Sequence, residues 1–152
     1  MARIQHEENE QIAFMNWCKH VHTEHGTLFE LFIHIRNESF EAGTVVQRKR
    51  RIDRAKQAGY KTGTPDLFLP LPVTGMLLKN DDTQSCEIEE FTKPGLFIEM
   101  KRKRVKGKPR GRVSEAQNNR LALHQDCGYS VAVCEGWEEA KRITELYLEG
   151  KF

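Results

Sequence analysis

The residues best equipped for chemistry are Asp66 and, 33 positions on, the pair Glu99 and Lys101 with Met100 between them. Both groups sit in short apolar runs, DLFLPL at 66–71 and LFIEMK at 96–101. Side chains alternate across a strand, so Glu99 and Lys101 share one face while Met100 takes the other. If the strand of Asp66 pairs alongside, two carboxylates converge beside one ammonium. Oxygen donors of this kind bind Mg²⁺, with waters and a substrate phosphate completing the octahedron. The cation would lower the pKa of water and neutralise charge growing on the phosphorane oxygens. Lys101 would orient or deprotonate the attacking water, or stabilise transition-state charge.

A Glu-x-Lys at a strand end is more often a plain exposed ion pair. Two features favour chemistry here. The charges lie against apolar strands behind a Pro65-Asp66 turn, and a basic segment begins at Lys101 itself. Any site at this place is therefore already inside a phosphate-attracting field.

The net charge of the 152-residue chain is only +2, but its distribution is uneven. RKRRIDRAK at 48–56 carries six basic side chains and KRKRVKGKPRGR at 101–112 carries eight, while acids gather in HEENE, NDD and EIEE. Concentrated positive stripes on a near-neutral chain suit a surface that meets phosphates. Two solvated faces are the plainer alternative. Arg48, Lys49, Arg51 and Lys56, together with Lys103, Arg104, Lys106, Lys108, Arg110, Arg112 and Ser114, are the expected DNA contacts. They include no base-reading motif, so recognition of shape is expected rather than of sequence.

The elements that must position these groups follow from periodicity. Residues 7–24 read as a helix, with Phe14, Trp17, Cys18 and Val21 at helical spacing behind an acidic first turn. TLFELFIHI at 27–35 reads as a strand and 37–43 as a loop. A basic helix spans 44–58 with Gly59 as its stop, and a turn at 61–64 leads into a strand at 66–71. The stretch 72–95 is too long for an ordinary turn and predicts an excursion, with room for a short strand. A strand at 96–101, a basic loop at 105–112, a helix at 114–127, a strand at 129–134 and a helix at 137–148 complete the chain. This order predicts one α/β domain over 1–152, a mixed central β-sheet flanked by helices.

With 38% hydrophobic and 30% charged residues, one well-formed core is expected. No apolar run reaches the roughly 20 residues of a membrane span, and MARIQHEENEQ lacks the apolar centre of a signal peptide. A cytoplasmic location is expected, the host cytoplasm for a phage-encoded chain. Cys18, Cys86, Cys127 and Cys134 show no short paired spacing and read as free thiols. Cys18, His20 and His22 do not share a helical face, so zinc is not expected there.

The motifs GTPDLFL at 63–69, GLFIEMK at 95–101 and SEAQ at 114–117, in that order, resemble a VRR-NUC domain, a branch of the PD-(D/E)XK nucleases. The resemblance extends to GYSVAV at 128–133, to 137–140, to Glu10-Gln11 and to Ile35-Arg36-Asn37, with one interruption at 72–94. The chain departs from the family at Asn37-Glu38-Ser39, where a glycine-rich turn is expected. The resemblance implies a restriction-endonuclease-like core and a Mg²⁺-dependent deoxyribonuclease, with Mn²⁺ able to substitute. It makes Asp66, Glu99 and the Met100 carbonyl metal ligands, Lys101 the catalytic lysine and Gln117 an active-site glutamine on the following helix. Ser114-x-x-Gln117 is equally a capping box, and one side chain is not expected to fill both roles fully; the active-site role is preferred. An acid on the first helix should support the metal, and Glu10 and Glu7 both remain candidates. Small proteins of this type are similar to phage and bacterial Holliday-junction resolvases, which implies branched DNA as substrate and a homodimer with two symmetric sites. A less selective nuclease or nickase of repair or restriction, or a DNA-binding module without chemistry, are the alternatives.

Overall fold

The computed structural model describes residues 2–35, 43–80, 86–103 and 111–152. Five helices are found among them: α1 (Ala2–Cys18), α2 (Leu28–Leu31), α3 (Val45–Gln57), α4 (Glu115–Asp126) and α5 (Trp137–Leu148). The strands are β1 (His22–Thr23), β2 (Gly26–Thr27), β3 (Ile33–His34), β4 (Leu67–Leu69), β5 (Val73–Asn80), β6 (Cys86–Lys93), β7 (Leu96–Lys101) and β8 (Ser130–Glu135). The central sheet runs β3-β4-β7-β8, with β3, β4 and β7 antiparallel in succession and β8 parallel to β7. A parallel neighbour needs a crossover, which α4 supplies. The expected mixed sheet flanked by helices is present.

Alternation along β7 divides the interior in two. Leu96, Ile98 and Met100 join Phe14 and Cys18 of α1 and Ala140, Ile143 and Tyr147 of α5 in the main core. The intervening residues turn to the α4 side, where Phe97 stacks between Phe68 and His124 at centroid distances of 4.3 and 4.0 Å. Register in β4–β7 sets Leu67 opposite Ile98, so Asp66 arrives beside Glu99 on the α4 side.

Several boundaries differ from the periodic reading. α1 ends at Cys18 rather than 24, because His22–Thr23 pairs with Gly26–Thr27 in a tight hairpin. The strand expected over 27–35 is mostly something else. Thr27 accepts from the Glu30 amide, and the Glu30 carboxylate accepts from the Thr27 amide at 2.8 Å. That capping box winds 28–31 into a helical turn despite its aromatic content, leaving Thr27 in β2 and Ile33–His34 in β3 as the residues of this run in strands. The excursion at 72–95 is a long hairpin, with two eight-residue strands paired from Val73↔Lys93 to Asn80↔Cys86. Its base is tied to the body by Tyr147, whose hydroxyl donates to Leu71 O at 2.6 Å. The predicted loop at 37–43 lies, up to residue 42, outside the described residues, and so does most of the basic loop at 105–112. No described helix is long and apolar enough to cross a membrane.

Candidate active site

Three elements deliver side chains to one spot at the C-terminal end of β7. Asp66 comes from the turn before β4, Glu99 and Lys101 from β7, and Gln117 from the first turn of α4. Asp66 Oδ2 accepts the Met100 amide at 2.8 Å, which anchors the β4 turn to the neighbouring strand. Lys101 Nζ lies 2.5 Å from Glu99 Oε1, and Gln117 Nε2 donates to that same oxygen. Glu99 is 1% exposed and Lys101 6%. The pair is therefore not the exposed surface pair that a strand-end Glu-x-Lys usually makes.

Gln117 resolves the competition posed by its two roles. Its Oε1 accepts the Ser114 amide at 2.9 Å, completing the capping box of α4, while its Nε2 reaches Glu99. The expectation that one side chain would not serve both was wrong. A primary amide has a carbonyl and an NH₂ end, and the helix start is oriented so that each meets its own partner.

The turn that carries Asp66 is pressed against that same helix start. Gly63 has φ +77, and a Cβ there would lie 2.4 Å from the Ala116 carbonyl carbon and 2.6 Å from the Gln117 nitrogen. Only glycine meets both demands. Nothing in the motif GTPDLFL marks Gly63 for this task, since the close approach exists only once α4 is docked. Gly111 returns over the stem of Lys101, its Cβ position 3.5 Å from Lys101 Cβ and Cδ.

The electrostatics are those of charges held in an apolar setting. Burial pushes the Glu99 carboxyl up to about 7, helped by Asp66 and Glu7 and opposed by Lys101. Asp66 is raised too, by burial first, against the Met100 hydrogen bond and Lys101. Glu99 Oε2 is buried without a hydrogen-bond partner. An orphaned carboxylate oxygen of this kind is costly unless a cation completes it.

A divalent cation fits the donors present. Glu99 Oε2 and the carboxyl of Asp66 offer oxygen, and strand geometry turns the Met100 carbonyl to the same edge as its N–H, alongside the turn that precedes β4. Among the described residues no three His, Cys, Asp or Glu side chains gather to enclose a metal. The donors present, two carboxyls and a backbone carbonyl, are oxygens, the ligand type that suits a hard divalent cation.

The two first-helix acids part company. Glu7 lies close enough to raise both Asp66 and Glu99. Glu10 instead accepts the Trp137 amide at 2.9 Å, capping α5, whose own N-cap Gly136 has no side chain for the task. Of the expected DNA contacts, Lys49, Arg51 and Lys56 are exposed, and Arg48 is half-buried beside Ile52 and Ala55. Lys103 is exposed and paired with Glu138 at 2.6 Å, and Arg112 is exposed. Ser114 is exposed and caps α4. Arg104, Lys106, Lys108 and Arg110 lie outside the described residues.

Comparison with known proteins matches residues 3–138 to the model of the VRR-NUC domain. A solved structure of a VRR_NUC domain protein superposes with a TM-score of 0.65 at 22% identity, over 93% of this chain and 87% of the other. No curated protein matches the chain.

Proposed function

Because the chain belongs to the VRR-NUC domain family, we propose that it is a Mg²⁺-dependent endonuclease that hydrolyses phosphodiester bonds in branched DNA, Holliday junctions foremost. The observation that carries the reading is the meeting of Asp66, Glu99, Lys101 and Gln117 around a buried carboxylate oxygen with no partner.

Asp66, Glu99 and the Met100 carbonyl would hold the cation, which supplies Lewis acidity toward the phosphate and acidifies water when bound. Gln117 and Lys101 both hold Glu99 Oε1, which leaves Oε2 turned free for the ion. Lys101, held beside Glu99 Oε1, would direct its ammonium to the attacking water or to charge growing on the phosphate. Glu7 adds negative potential that favours a cation over the apo state. Mn²⁺ has the same oxygen chemistry and substitutes. Two strands cut symmetrically need two sites, so the working unit is a homodimer.

Labelled four-way junction, flap and linear duplex DNA, incubated with Mg²⁺, Mn²⁺ or EDTA, test the proposal beside Lys101→Ala. Paired symmetric cuts in junctions, absent in EDTA and in the variant, are expected. Equal cutting of linear duplex would make it an unselective nuclease or nickase. Binding without cutting under every metal would leave a DNA-binding module.

A further inference from the structure

α3 has no buried residue, although it is 13 residues long and capped by a Thr44–Gln47 box. Helices of that length are marginal without tertiary packing. This one also sets Arg50 four residues before Arg54 and Arg51 three before it, spacings at which like charges repel. Asp53, three residues after Arg50, offsets part of this repulsion, and a polyanion along the arginine face would relieve the rest.

Its side chains sort into directions at 100° per residue. Arg48, Ile52 and Ala55 take the half-buried side, and Lys49 and Lys56 point elsewhere. Gln47, Arg50, Arg51, Arg54 and Gln57 share a third face, which with Asp53 lines a groove of about 850 Å³. That face is about 15 Å long, since ten residues rise about 1.5 Å each. All three of its cations are arginines, whose forked donors match phosphate oxygens, and glutamines stand at both ends. Exposed Glu89 and Glu90 on β6 would repel the same partner and keep it off the hairpin.

We propose that the Arg50–Arg51–Arg54 face of α3 is a backbone clamp for a duplex arm of the substrate, a contact apart from the cleavage site. It rests on the nucleic-acid reading above and adds which residues hold which part of the ligand. α3 ends at Gln57, nine residues before Asp66, a tether of at most about 30 Å. Arg50 stands seven helical residues further back, about 10 Å more, so at about 3.4 Å per base pair the clamp lies within roughly twelve base pairs of the cut. Binding should tighten once a duplex arm is long enough to reach the clamp. A face of this length meets two to three successive phosphates of one strand.

The test is anisotropy of the full chain with 6- and 20-base-pair-armed junctions in EDTA, over a salt series, with cleavage in Mg²⁺ run separately. Changing Arg50, Arg51 and Arg54 together to Gln is expected to weaken long-arm binding at least tenfold and flatten the salt slope by about two. It should also abolish the advantage of long arms. A charge-matched control, Lys19, Lys141 and Arg142 to Gln, should stay within twofold of wild type. An unchanged slope in the α3 variant, or an equal loss in the control, overturns the clamp. Polyglutamate displacing DNA at equal charge concentration would also overturn it, assigning the face to an acidic protein. Wild type that never cuts while the α3 variant still loses binding would sink the nuclease reading and leave the clamp standing.

Discussion

Gln117 bonds to two structures at once: its Nε2 donates to Glu99 and its Oε1 accepts the backbone amide of Ser114 at 2.9 Å. The start of α4 and the acid at the end of β7 are thereby one unit. A helix cap, usually a matter of local stability, here also aims a buried carboxylate.

Separating the two ends of that amide separates the roles. Gln117→Glu keeps an acceptor for the Ser114 amide but sets a second carboxylate against Glu99. Cleavage should fall at least a hundredfold, with a stability loss that shrinks as pH is lowered and one carboxyl takes up a proton. Gln117→Ala loses both ends, and should cost about 1 kcal/mol in urea unfolding as well as activity. Single-turnover cleavage and denaturation of both variants decide it; full activity in Gln117→Glu would remove Gln117 from the site.

The Glu99 carboxyl titrates near 7 in the fold against 4.5 ordinarily. It binds its proton more tightly when folded, so between about 4.5 and 7 the folded state carries the extra proton. Metal-free stability should then fall as pH rises through that window and level off above it. The loss is on the order of 3 kcal/mol, at 1.36 kcal/mol per unit. Glu99→Gln should flatten the melting temperature against pH over the same range.

Cation binding needs the ionised acid, so cleavage at limiting Mg²⁺ should drop about tenfold per pH unit below 7. Raising Mg²⁺ should move the midpoint of that profile downward. A midpoint indifferent to Mg²⁺ would mean that Glu99 does not hold the ion.

Gly63→Ala places a methyl against the backbone of Ala116 and Gln117 at a positive φ. Destabilisation of about 2 kcal/mol is expected from the strain. Activity should fall further than the folded fraction explains, because the Asp66 turn and the Gln117 helix are forced apart. Cleavage by fully folded protein at low temperature checks this.

Tyr147→Phe removes the hydroxyl that reaches Leu71 O at 2.6 Å. A loss of about 1 kcal/mol is expected. Hydrogen exchange should accelerate along β5 and β6 while Asp66 and Glu99 keep their geometry and cleavage continues.

Much of this molecule is local in origin and was legible as such. The alternation in LFIEMK turns Glu99 and Lys101 to one side, whatever else the chain does. The apolar spacing of 137–148 and the capping pattern at Ser114 mark helices whose observed spans, Trp137–Leu148 and Glu115–Asp126, lie close to expectation. Where local signals competed, one pattern did not decide. The aromatic run at 27–35 looks extended, yet a reciprocal Thr27–Glu30 cap outweighs it.

What residue types and period determine by themselves are the elements, the faces of each strand and the acids and amide available. Distances between elements belong to the tertiary structure, because they depend on register and docking. Only the packed fold brings Gln117 onto Glu99, leaves no room for a Cβ at Gly63, and sends Glu10 to cap α5 while Glu7 stays near the carboxylates. Burial, too, exists only after assembly. It turns a common Glu-x-Lys into a carboxyl that titrates near neutrality with one oxygen unmet.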